Sequence, residues 1–142
     1  MKKAVVFLLI AGFLVTGCTT NKILKKPINN VDYKIVDTYS DSFNSHKELR
    51  EWYLDNYKLK GKHTKNLQGS TYILISLGEK RSGGYKMEVT SIEATDKILV
   101  NTNLIEPSPD ELKTMIITYP HLLLAIKEDV RNIVWENTVS KP

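Results

Sequence analysis

Catalysis needs a nucleophile, an acid–base pair or a set of metal ligands, and the chain offers little of any. Its only thiol is Cys18, and its three histidines, His46, His63 and His121, lie far apart in the 142 residues. None has a second histidine or a carboxylate at a ligand spacing such as H-x-x-x-H, so no metal is expected. No serine sits in a G-x-S-x-G elbow. Gly83-Gly84 enters a β-rich run rather than opening a helix, the wrong context for a phosphate loop. The carboxylate pair Asp110-Glu111 falls in a proline-rich stretch. These residues point away from an enzyme and imply no cofactor. The short runs suited to contact are Ser82-Gly83-Gly84-Tyr85 and Tyr119-Pro120. Two glycines let another backbone come close, and a tyrosine offers an apolar body with a polar end. A plain structural turn with Tyr85 packed on its own sheet is the competing reading.

Cys18 has a different chemistry in view. The chain opens Met1-Lys2-Lys3, followed by an apolar run from Ala4 to Val15. About a dozen apolar residues are too few to cross a bilayer, which takes about 20, but they suit a secretory leader. The run ends Leu14-Val15-Thr16-Gly17-Cys18, which resembles the lipobox of bacterial lipoproteins, whose cysteine receives a diacylglyceryl group before cleavage. With no second cysteine there is no internal disulfide framework. Residues 1–17 are therefore expected to be a signal peptide, with Cys18 the lipidated first residue of the mature chain. Two acyl chains hold a protein on a membrane where one does so marginally. The expected location is the cell envelope, lipid-anchored on the extracytoplasmic side.

Loss of Lys2 and Lys3 with the leader takes the formal charge from +4 to +2. So small a balance gives no argument for nucleic acid. Lys22, Lys25 and Lys26 follow the lipid site, where they could meet anionic head groups or simply solvate a linker. Residues 18–30 read as a tether, polar and carrying Pro27. Residues 31–142 then form one β-rich domain of about 110 residues, enough for one core.

The elements that must hold these residues centre on Thr71 to Ile92. Thr71 to Leu77 is almost wholly apolar or β-branched, as in a strand buried on both faces. From Tyr85 onward the pattern alternates, as in a strand wet on one side. The two are expected to form a long hairpin with Ser82 to Tyr85 at the start of its second arm. Val31 to Tyr39 reads as a strand and Ser40 to Asn44 as a polar turn. Ser45 and Glu48 form an S-x-x-E capping box for a helix over His46 to Asn56. Leu49, Trp52, Tyr53 and Asn56 or Tyr57 lie on one face of it at helical spacing. Trp52-Tyr53 reads as core rather than as a stacking platform. Lys58 to Gly69 is expected to be a basic loop. Strands follow over Lys97 to Leu104, Leu112 to Tyr119, His121 to Ile126 and Asn132 to Glu136. The prolines at 107 and 109 force a surface crossing between the first two of these. The fold class is mainly β (α+β): about seven strands, sandwich-like or as a curled antiparallel sheet, with one covering helix.

The order of these features resembles the PrcB-like domain of bacterial cell-envelope proteins. The residues that carry the likeness are Leu77-Gly78, Ser82-Gly83-Gly84-Tyr85 leading into Lys86-Met87-Glu88-Val89, the crossing at Pro107 to Pro109, and Thr118-Tyr119-Pro120-His121. Ser82 stands where threonine is usual, which keeps the hydroxyl. Arg81 stands where proline is common, which alters the tip. The resemblance implies a non-enzymatic lipoprotein that associates with and stabilises an exported protease or other envelope protein. Ser82, Gly83, Gly84, Tyr85, Tyr119 and Pro120 would lie at the contact. The tip is also similar to the T-T-G-Y/F loops of chagasin-like cysteine-protease inhibitors. That gives the alternative of a peptidase inhibitor that inserts the Gly-Gly-Tyr tip into a cleft.

Overall fold

The computed structural model describes residues 31–109 and 115–140. Among these residues, seven strands and two helices follow one another in the order β1 (Tyr33–Ile35), α1 (Asp41–Ser45), α2 (Lys47–Asn56), β2 (Gly61–Leu67), β3 (Ser70–Ser76), β4 (Lys86–Ala94), β5 (Ile98–Ile105), β6 (His121–Lys127) and β7 (Ile133–Ser140). The strands make two sheets, β1-β6-β3-β2 and β4-β5-β7. The first is antiparallel throughout. In the second, β4 runs antiparallel and β7 parallel to β5.

Burial explains the layering. On β3 and β6, Ile73, Ile75, Leu124 and Ile126 face the second sheet and pack with Ile92, Ile98, Val100 and Ile133. Leu74 and Leu123 face the other way and pack with Phe43, Leu49 and Tyr53 of the helices. The molecule is thus a mainly β, sandwich-like α+β fold in three layers, helices, four-stranded sheet and three-stranded sheet. β3 is apolar on both faces because each face is covered.

The expected long hairpin is not formed. β3 lies in the middle of the first sheet with β2 on one edge and β6 on the other, so neither edge remains for β4. Residues 77–85 instead cross from one sheet to the other. On β4 a register shift between Val89 and Ser91 leaves Thr90 as a bulge. It resets the alternation, which brings Ile92 onto the inner face with Met87 and Val89. That is why a fully buried isoleucine sits at a position the unbroken alternation assigns to solvent.

Lys58 to Gly69 is a loop only at its ends. Gly61–Leu67 forms edge strand β2, closed onto β3 by a two-residue turn in which Gln68 and Gly69 both take positive φ, 51° and 76°. Positive φ at both central residues matches the twist of a tight hairpin. Two of the lysines that suggested a solvated loop have internal uses. Lys65 pairs with Glu48 at 2.8 Å, and the Lys62 ammonium donates to the Ile133 carbonyl, tying the two sheets together.

The helical layer also differs in detail. Most of the polar stretch 40–44 lies in α1, because Phe43 is drawn into the core. The Ser40 hydroxyl caps α1, accepting from the Phe43 amide at 3.2 Å. The expected capping box does not form: Ser45 donates to the Ser42 carbonyl, and α2 begins after His46 without a side-chain cap. Residues 115–117 of the expected strand 112–119 lie in no strand, and Thr118 makes a single bridge to Lys80. Residues 112–114 fall outside the described part. So do Cys18, the leader and the tether. Among the described residues no helix is long and apolar enough to cross a membrane.

One electrostatic clamp holds the two ends of the second sheet's loops. Arg131 pairs with Asp129 at 2.6 Å and donates to the Thr95 carbonyl at 2.8 Å, joining the β6–β7 connection to the β4–β5 turn. Hydrogen bonds from the Arg131 side chain and amide hold the Asp129 carboxyl down at about 2. A carboxylate depressed by folding stabilises the fold above its ordinary pKa, near 4, and that contribution is lost as pH falls through about 2. The stability difference between the wild type and Asp129→Asn should therefore be constant at neutral pH. It should shrink toward zero as urea titrations are carried from about pH 5 to pH 2. A difference independent of pH would mean that the pair contributes nothing through its charge.

Candidate functional site

The crossing 77–85 and the bend before β6 meet. Lys80 and Thr118 exchange both backbone hydrogen bonds at 2.8 Å. The Thr118 hydroxyl donates to the Ser82 carbonyl at 2.8 Å, and the Leu77 amide donates to the Pro120 carbonyl at 3.0 Å. Ser76, wholly buried, locks the base of the crossing. Its hydroxyl donates to the Tyr57 carbonyl at 2.6 Å and accepts from the Gly78 amide at 3.1 Å. The C-terminus of α2 is thereby fixed to the same corner.

These three segments enclose a groove of about 560 Å³. Gly83, Gly84 and Tyr85 form one wall, and Tyr119, Pro120 and His121 another. The third wall comes from the helices through Arg50, Tyr53, Leu54 and Tyr57. Of the residues the sequence singled out, five line it together; Ser82 does not, its carbonyl being used to hold Thr118.

Aromatic rings make up much of the surface. Tyr53 and Tyr57 stack with centroids 5.1 Å apart, and Tyr119 meets Tyr57 edge-on at 5.9 Å. Tyr53 also meets Phe43 edge-on at 5.3 Å, so the ladder runs from the core to the rim. These are offset and T-shaped arrangements that rings favour. Lys58 stands over both Tyr57 and Tyr119, 5.5 and 5.4 Å from the ring centres, and Lys80 stands 5.3 Å over Tyr85. Each lies within cation–π reach.

At the floor, the Tyr53 hydroxyl and His121 Nε2 are 2.7 Å apart, and His121 Nδ1 is 2.6 Å from the Tyr119 carbonyl. A carbonyl only accepts, so Nδ1 carries the proton, Nε2 accepts, and the Tyr53 hydroxyl donates. Burial pushes the Tyr53 hydroxyl above its ordinary pKa, against a smaller opposing effect of the hydrogen bond with Thr38. The pair orients the two rings against each other. His46 and His63 lie elsewhere, on the Ser42 and Leu59 carbonyls. Among the described residues no three of His, Cys, Asp and Glu come together to hold a metal.

Gly84 has a role the sequence did not suggest. Its φ is +90°, and a Cβ there would come within 2.8 Å of the Pro107 side chain. The glycine is required by the chain's own packing as much as by any visitor. Gly84→Ala should cost about 1–3 kcal/mol from backbone strain, with the Pro107 contact adding to it. Thermal or urea unfolding would read the loss. Gly83→Ala, whose Cβ would meet nothing within 4 Å, should be close to neutral. Equal behaviour of the two variants would contradict this packing.

The sequence missed Tyr39, Arg50, Leu54, Tyr57 and Ile117, which complete the groove. A signal existed for Ile117: Met115, Ile116 and Ile117 are three consecutive apolar residues, all exposed. Such runs on a surface are associated with contact. Tyr39 is 91% exposed and Leu54 53%.

A family model described as PrcB C-terminal matches residues 71–127, a span from β3 to β6 that contains both groove motifs. An uncharacterized protein of Methanocaldococcus jannaschii is 30% identical over 113 residues, covering 78% of this chain and 68% of that protein. No solved structure matches the chain.

Proposed function

The chain belongs to the PrcB C-terminal family, and from that premise we propose that it is a non-enzymatic lipoprotein that binds, and by binding stabilises, an exported protein such as a protease complex. Cys18 would carry the lipid and keep the domain at the extracytoplasmic face of a membrane. The groove would take the partner. One observation carries this reading: two motifs separated by more than thirty residues in sequence, Gly83-Gly84-Tyr85 and Tyr119-Pro120, converge with Tyr57 on one open, aromatic surface. Half-buried tyrosines around a concave centre are the kind of residue on which binding energy tends to concentrate.

The alternative of a peptidase inhibitor asks for a projecting wedge. Gly84 lies against Pro107 and the Ser82 carbonyl is held by Thr118, which favours the tip as a wall of the groove.

The test uses the full chain in a bacterial host fed a labelled fatty acid, with a photo-reactive phenylalanine analogue at position 85 or at position 88, an exposed position of β4. Label on the wild type, none on Cys18→Ser, and a defined crosslinked band from position 85 but not 88 are expected. An unlabelled chain would remove the anchor. Equal crosslinking from both positions would remove the groove.

A further inference from the structure

The groove's charge adds something about what enters it, an inference that rests on the groove being the partner site. Among the described residues, Arg50 is the one lining residue with a permanent charge, and no carboxylate lines the groove. Two further cations stand at its rim, Lys58 over Tyr57 and Tyr119, and Lys80 over Tyr85. Among the described residues, neither Arg50 nor either lysine is in an ion pair. The nearest acids in sequence, Glu51 beside Arg50, Asp55 before Lys58 and Glu79 beside Lys80, are exposed and do not line the groove.

We propose that the occupant is a short acidic segment of the partner protein, with an aromatic or apolar side chain against the tyrosines and carboxylates against Arg50 and Lys58. The size supports a segment rather than a folded face. About 560 Å³ lies in the range of about 300–1,000 Å³ that takes a compact ligand, enough for a few side chains. The chemistry supports both halves. A guanidinium presents a fork that matches a carboxylate in two hydrogen bonds. A lysine held over rings is already positioned, so less ordering is needed when a carboxylate arrives. Leu54 and Ile117, exposed on the groove, favour an apolar side chain over the hydroxyl-covered ring of a sugar.

The experiment titrates the full chain in detergent with four octapeptides of alternating sequence, Glu-Phe, Gln-Phe, Lys-Phe and Glu-Ser, and with polygalacturonate as an anionic glycan. Glu-Phe should bind at least about tenfold tighter than Gln-Phe, the size of one charge-assisted contact. Lys-Phe and Glu-Ser should be weaker still. Added salt should weaken Glu-Phe and leave Gln-Phe unchanged. Arg50→Gln/Lys58→Gln should bring Glu-Phe down to the Gln-Phe level, whereas Tyr119→Ala should weaken both. Equal affinity for Glu-Phe and Gln-Phe, a preference for Lys-Phe, binding of polygalacturonate in place of the peptides, or no binding at all would overturn the proposal. The crosslinked partner separates the two levels. Loss of its crosslink in Tyr119→Ala but not in Arg50→Gln/Lys58→Gln would leave the groove standing and remove the acidic chemistry. No loss in either would remove the groove itself.

Discussion

Tyr119→Ala is expected to weaken the chain's hold on its partner by about 2 kcal/mol or more, roughly thirtyfold, as truncation of a central tyrosine at an interface does. Three effects add at this position. The ring is lost from the groove wall. Tyr57 loses the edge-on neighbour that holds its exposed side. Lys58 loses one of the two rings over which it stands. Tyr119→Phe keeps all three and should bind within a few-fold of the wild type, since these contacts are made by the ring rather than the hydroxyl. Both variants should unfold close to the wild type. Tyr119 is only half-buried, and its carbonyl, which holds His121, belongs to the backbone. Binding titrations of the crosslink-identified partner against the three proteins check this. A Tyr119→Ala chain that binds like the wild type would show that the aromatic surface is not where the partner sits.

Why that surface was only half legible follows from the ranges involved. Tyr85 and Tyr119-Pro120 stand out locally, because glycine, proline and tyrosine each carry a conformational or amphipathic signature within a few residues. Their convergence is a long-range fact. It depends on Lys80 bridging Thr118 and on Leu77 donating to Pro120, pairings of peptide groups that every residue possesses. Arg50 and Tyr57 look like ordinary helix positions, and only the docking of α2 onto Ser76 brings Tyr57 to the groove.

The fold divides in the same way. Local pattern was enough for β3, β5, β6 and α2, where several residues in succession share one periodicity. It failed for β2, where charge on an edge strand mimics a loop, and for Phe43, a single apolar residue in a polar run. It failed also for the β3–β4 connection, because adjacency in sequence says nothing of which strand claims an edge. Here β6, nearly fifty residues away, takes the edge of β3 that the hairpin would have used. The same competition left β4 to pair with β5 alone.

That competition has a measurable consequence in two neighbouring residues. Ile73 and Leu74 are both fully buried, yet they face opposite layers. Replacing either with alanine removes buried methyl groups and opens a cavity, which should cost about 2–5 kcal/mol. Against a total stability of about 5–15 kcal/mol for a domain of this size, both losses are severe and should look alike in urea unfolding. Their distribution should differ. The cavity of Leu74→Ala opens beneath Phe43, Leu49 and Tyr53, so the amides of 41–56 should exchange with solvent well before those of β5. The cavity of Ile73→Ala opens between the sheets, beside Ile92, Val100 and Leu124. There the helices should keep their protection relative to β5, because the layer they rest on is untouched. Sub-global opening of this kind follows the element whose support has been removed. Since α2 also forms a wall of the groove, Leu74→Ala should loosen partner binding at temperatures where Ile73→Ala still binds normally. If helix amides lose protection equally in the two variants, β3 does not divide the core into two faces, and the three-layer arrangement that builds the groove is wrong.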